Sequence, residues 1–321
     1  MRILPWCTAV LLAFSGQDLR AETATAPLFD GFEDSDFTEA GGLYYRNNEE
    51  QTAGTVDFQQ SEVRSGEGAL RLSVRSNCEA TDTSCSERAE IWEKTPLRVP
   101  YERGVWYGFS VKFDDPIPVD DNRYVIAQWK REIGPEAVGD FSPYLAFRVN
   151  EGRLFITVET NYYPAAKPPE GDVSVQCSEG QTPAWLRPET NQMRLLVATD
   201  SEWTPRVDGR FNACTDKTAI TPRGNALPLP SSGWIDFAVF SKPGPNGGGQ
   251  LEIFANGDWI VTVRGYIGHN DHGLGENQYF KFGPYRSGSH ADWALFYDDF
   301  IRSERCEDVL KDAEACAAVG R

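Results

Sequence analysis

The sequence predicts an all-β fold, a sandwich or jelly roll of two antiparallel sheets. Three observations predict it. Short runs alternating apolar and polar residues recur along the 321 residues, the pattern of strands with one buried face. Turn-forming residues separate these runs at close intervals, with Asn256-Gly257 the strongest hairpin signal. No long stretch carries a helical period, and neither a repeat nor a linker between two cores divides the chain.

In chain order, Arg2, the apolar run 3–14 and the small residues Ala21 and Ala24 read as a secretory signal over residues 1–24. Residues 25–321 are then expected to form a single domain. The acidic stretch 29–61 reads as a lead-in with short edge strands. Ala69–Val74 and Val105–Phe113 alternate cleanly, the second stopped by Asp114-Asp115-Pro116. Segments 145–149 and 154–158 flank Asn150-Glu151-Gly152-Arg153 as a hairpin. Residues 161–230, rich in Pro, Gly and charge, read as functional loop or flap, with 193–198 the one apolar run. Strands are expected at 235–240, 251–255, 259–263 and 293–301, a glycine-rich loop at 244–249, and a closing helix at 307–319.

The net charge of −17 argues against nucleic acid or an anionic membrane as partner. It does not exclude an anionic polymer, because binding follows the local field, and repulsion from the acidic exterior is screened beyond about 8–10 Å in salt. Of seven cysteines, Cys7 leaves with the signal. The remaining even number in an exported chain favours disulfides, and joining sequence neighbours gives Cys78–Cys85, Cys177–Cys214 and Cys306–Cys316. A zinc site is the rival, but no Cys-x-x-Cys occurs and His269, His272 and His290 lie far from the cysteines.

The chemistry-bearing stretch is Tyr279-Phe280-Lys281-Phe282-Gly283-Pro284-Tyr285-Arg286. As a strand it sends Phe280 and Phe282 one way, and Tyr279, Lys281 and Tyr285 the other. Arg88, Glu90 and Trp92 share a face in a second segment, and Gln128 and Lys130 in a third. In one sheet these segments would gather Arg, Gln, Lys and Tyr on a single face suited to an anionic sugar.

Arg-x-Glu, then Gln-x-His, then Tyr-Phe-Lys-x-Gly-x-Tyr is the motif order of the jelly-roll polysaccharide lyases, and this chain resembles them over residues 29–302. That group includes the family 7 alginate lyases and the heparin lyase I and glucuronan lyase type. The middle motif departs, since Lys130 stands in place of the catalytic histidine. The resemblance implies a concave cleft and β-elimination of a uronate polymer to 4,5-unsaturated ends. It implies Arg88 and Gln128 as carboxylate binders and Tyr285 as acid. The base is left open among Tyr285, Lys130, and His269 or His272 reaching in. Glu90, Trp92, Arg148, Tyr279, Lys281 and Arg286 are expected to line the substrate. No catalytic cofactor or metal is expected, although Asp298-Asp299 could hold a structural calcium ion. The protein is expected to be a secreted or periplasmic monomer.

Lysine, with a free pKa of about 10.4, serves as base only where desolvation or neighbouring cations lower it to about 7–8. Two other classes compete. A retaining hydrolase would use Glu90 and Glu93, but residues three apart in a strand face opposite ways, whereas such a pair needs to stand about 5–5.5 Å apart. A carbohydrate-binding module without catalysis would not need Tyr285.

Overall fold

The computed structural model describes residues 27–33, 44–46, 52–79, 85–161, 177–187, 190–200 and 212–320. The expected signal peptide and parts of the expected flap lie outside them. Among the described residues, twenty strands form two antiparallel sheets, one of nine strands and one of eleven. The eleven-stranded sheet carries the three motif segments. Its central strand, Leu274–Ser287, pairs on one side with Tyr124–Ile133, and on the other with Ser86–Arg88, Ile91–Glu93 and Val99–Pro100. Tyr124–Ile133 in turn pairs with Leu145–Asn150, which forms the expected hairpin with Arg153–Asn161.

Aromatic side chains fill the space between the sheets. Phe280 and Phe282 from the central strand, Trp129 and Phe147 meet Phe109, Phe237 and Phe300 of the nine-stranded sheet in one core. The Trp129 and Phe280 rings lie 4.6 Å apart, and Phe280 stacks on Phe300 at 5.9 Å. Period-2 alternation therefore sends Tyr279, Lys281, Gln128 and Lys130 to the outer face.

Several local expectations are corrected. The glycine-rich stretch 244–249 is no separate loop but an excursion within the strand Gly244–Ala255, whose register shifts between Gly244 and Gly249. A Cβ on Gly244 would lie 2.2 Å from the Gly249 amide nitrogen, so the chain can double back only there without a side chain. The closing helix is two helices, Cys306–Val309 and Ala313–Val319. Asp312 interrupts the run because its carboxylate caps the second helix, accepting from the amides of Glu314 and Ala315. The irregular region contains four strands among its described residues: Thr182–Arg187, Gln192–Ala198, Ala213–Thr215 and Thr218–Pro222.

Arg88 and Trp92 come from two short strands rather than one, with Glu90 in the break between them. The break lies opposite Gly283, which has φ +121° and approaches so closely that a Cβ would sit 2.2 Å from the Ala89 carbonyl oxygen. All three cysteine pairs form as expected, with S–S distances of 2.11, 2.01 and 1.94 Å. The asparagine–glycine hairpin is present too, with Asn256 at φ 53° and Gly257 at φ 86°.

Candidate active site

Five neighbouring strands build one patch on the outer face. Tyr279 lies across from Lys130, and Lys281 from both Gln128 and Trp92. Tyr285 lies across from Arg88 on one side and Val125 on the other. Arg148 also pairs with Val125 and donates to the Thr157 hydroxyl. The structure thus brings Arg88, Glu90, Trp92, Gln128, Lys130, Arg148, Tyr279, Lys281 and Tyr285 to one face.

These residues form two layers. Glu90, Gln128, Lys281, Arg148 and Tyr279 are buried; Arg88, Trp92, Lys130 and Tyr285 are half-buried and reach the surface. Glu90 holds the lower layer together. Its carboxylate accepts from the Gln128 amide and lies 2.9 Å from the Lys281 ammonium. Only 1 % exposed, Glu90 fixes other side chains rather than reaching a sugar, which corrects the expectation of direct contact. Tyr279 is similarly enclosed: Trp92 stacks on it at 5.8 Å, and the Arg98 guanidinium covers it at 4.5 Å. Burial pushes its phenol up to about 12, so it stays protonated.

The Lys130 ammonium forms no hydrogen bond or ion pair among the described residues. Burial, then the positive charge of Lys281 and more weakly that of Arg88, brings its ammonium down to about 8, against the opposing pull of Asp140 and Glu90. An amine poised there exchanges a proton near neutrality. Further along the central strand, the register shifts between Phe282 and Tyr285. Beyond the shift, the Tyr285 ring carries the Arg88 guanidinium at 4.1 Å and that of Arg123 at 4.8 Å.

Arg123 was missed by alternation. Counting in twos from Gln128 assigns it to the core, but Ile126 and Ala127 both face inward and the parity flips before Val125. Also missed was Glu159, buried beside Arg194 and Arg187. Burial alone would raise its carboxyl, yet Arg194, Arg148 and Arg187 hold it below the ordinary value.

Arg286 does not join the patch. It faces away from Tyr285, is 1 % exposed, and forms an ion pair with Glu87 at 2.6 Å. The expectation that it lines the substrate is corrected: alternation is unbroken from Tyr285 to Ser287, so Arg286 takes the inner face. His272 stands on the surface, 3.9 Å from Glu136. His269 is buried against Phe141, and burial lowers it, opposed by Glu159 and Asp271. Glu93 points inward to Arg302 and the Phe280 amide, opposite to Glu90, so these two carboxyls do not form a hydrolase pair. The Asp298 carboxylate accepts from the amides of Arg64, Ser65 and Asp299, and no cluster of metal-ligating side chains occurs among the described residues.

A family model described as polysaccharide lyase matches residues 35–301. The chain belongs to this family. Among solved structures, the lyase is similar to an endo-β-1,4-glucuronan lyase from the fungus Trichoderma reesei, at 15% identity and a TM-score of 0.56, over 89% of this chain and 98% of that one. It is also similar to AlgAT5, an alginate lyase of polysaccharide lyase family 7, at 13% identity and a TM-score of 0.39, over 80% and 83% of the two chains. No curated protein matches the lyase in sequence. At these identities the likeness to solved structures concerns the fold, a two-sheet jelly roll, and the three disulfides fit an extracellular protein.

Proposed function

We propose that this lyase cleaves a uronate-containing polysaccharide by β-elimination outside the cytosol, with glucuronan or an alginate-like chain as substrate. The observation that carries the reading is the surface layer of the patch: Arg88 against the Tyr285 ring, with half-buried Lys130 on the same face. Elimination needs the C6 carboxylate neutralised, the C5 proton removed and O4 protonated as it leaves.

Arg88, with Arg123 beside it, supplies the cationic environment for the carboxylate, and Gln128 is held for the same task by Glu90. Neutral Lys130 takes the C5 proton. The C5–H electron pair becomes the C4=C5 double bond, the C4–O4 bond breaks, and Tyr285 gives its proton to O4. Lys130 then loses its proton to solvent, and Tyr285 regains one. An amine with a pKa of about 8 suits the first step, being substantially neutral in mildly alkaline water.

The test is to incubate purified protein with glucuronan, alginate and a sulfated uronate polymer, following the ultraviolet absorbance of unsaturated ends. Unsaturated oligosaccharides are expected. Saturated products with new reducing ends would mean hydrolysis, and binding without cleavage would leave a carbohydrate-binding protein.

A further inference from the structure

Arg88 is delivered by a strand of only three residues, Ser86–Arg88, whose one partner in the sheet is the central strand. Beyond it, the pairing is interrupted opposite Gly283. Three register pairs are weak grounds for fixing a side chain. A slip by one residue would turn every side chain of so short a strand to the other face.

On the inner face of this ladder stands the ion pair that displaced Arg286 from the patch. Glu87 lies across from Arg286 just as Arg88 lies across from Tyr285. Glu87 is fully buried, and its two oxygens are divided between tasks. Oε2 accepts from Arg286 at 2.6 Å; Oε1 accepts the amides of Asn77 at 2.7 Å and Cys78 at 3.1 Å. Cys78 is itself bonded to Cys85, the residue immediately before the strand. One carboxylate thus ties the central strand, the short strand and the disulfide-closed loop together.

We propose that Glu87 and Arg286 are positioning residues that select the register in which Arg88 meets Tyr285. In the observed register the inner face pairs opposite charges and the outer face places Arg88 on the phenol ring. After a one-residue slip, the Arg88 guanidinium would be turned inward beside Arg286 and Glu87 would lose its partner. Buried like charges and an uncompensated carboxylate are both heavily penalised, so the pair excludes the alternative as well as supporting the native state. Setting register is a well-attested use of buried ionic groups.

The proposal rests on the reading of Arg88 and Tyr285 given above, and the experiment separates the two. Glu87→Gln keeps the shape of the side chain and removes its charge. Hydrogen exchange on the full protein is expected to show lost protection at the amides of Ser86–Arg88, with the Gly244–Ala255 strand still protected. On a polyuronate the same variant is expected to lose about ten- to a hundredfold in kcat, the scale of a small misplacement, with little change in KM. In an Arg88→Ala background Glu87→Gln should cost almost nothing further, because the group it positions is gone. Unchanged exchange at Ser86–Arg88 would overturn the proposal, as would an equal loss of kcat in both backgrounds, which marks a general loss of folded protein. Should Glu87→Gln fail to fold, Arg286→Lys keeps the charge opposite Glu87 and is expected to retain protection at Ser86–Arg88 and most of kcat; loss of both in that variant would overturn the proposal. A wild-type protein that cleaves no polyuronate would sink the elimination chemistry, and the exchange measurement would still decide the register.

Discussion

The Arg88 guanidinium lies 4.1 Å from the centre of the Tyr285 ring, on the same sheet face as Lys130. A cation over the phenol face is drawn to the ring by its quadrupole and helps hold the ring in place. Tyr285→Phe deletes one oxygen from a half-buried ring and should leave the fold intact. Its rate of unsaturated-product formation should fall by about 10²–10⁴-fold, the usual worth of a positioned proton donor. Wild-type rates in this variant would remove Tyr285 from the chemistry.

The pH profile should carry the signature of Lys130. Under the proposed elimination the neutral amine is the active form, so kcat/KM should rise as pH increases through about 8. Lys130→Ala should abolish most turnover without unfolding. Lys130→His should retain measurable activity and shift the rising limb towards the imidazole's free pKa of about 6.5. An unaltered limb in Lys130→Ala would make the lysine a bystander and direct attention to His269.

Glu90 makes a separable claim on stability. Glu90→Ala leaves the buried Lys281 ammonium without its counter-charge and frees Gln128. Breaking one side of a buried pair costs about 3–5 kcal/mol. Chemical denaturation should register a loss of that order, and Glu90→Ala with Lys281→Met should recover much of it. A single-variant loss below about 1 kcal/mol would mean that solvent reaches the pair.

Gly283→Ala should be costly in spite of adding one methyl group. The site combines φ +121° with a carbonyl 2.2 Å from the new Cβ. Backbone strain of this kind costs about 1–3 kcal/mol before the clash is counted. Thermal unfolding and activity should fall together, because the residue sits between the strand pairings that carry Trp92 and Arg88.

Where alternation was unbroken, the sequence was legible. Phe280 and Phe282 announced the core, and Tyr279, Lys281, Gln128 and Lys130 the opposite face, because a strand has only two sides. The cysteine pairing was legible from neighbourhood alone. Reading failed where register changed. Arg123 was hidden by the parity flip near Ile126, and the break between Arg88 and Trp92 by the close approach of Gly283. Arg286 was misread because a charged residue beside a motif looked functional, whereas its partner Glu87 lies 199 residues away in the chain. Nor could composition tell which polar side chains would be sealed in the lower layer: Glu90 and Tyr279 look as available on paper as Arg88.

The two short C-terminal helices, closed by Cys306–Cys316, pack Leu310 and Val319 against Trp106, Ala238 and Phe254 on the outside of the nine-stranded sheet. The Arg88 patch occupies the outside of the other sheet. The sandwich therefore has a back and a front. A bead or fusion partner attached through the helical end would hold the molecule by its back, leaving the front turned towards a passing polymer; attachment through the segment around Arg123 would turn that front to the support.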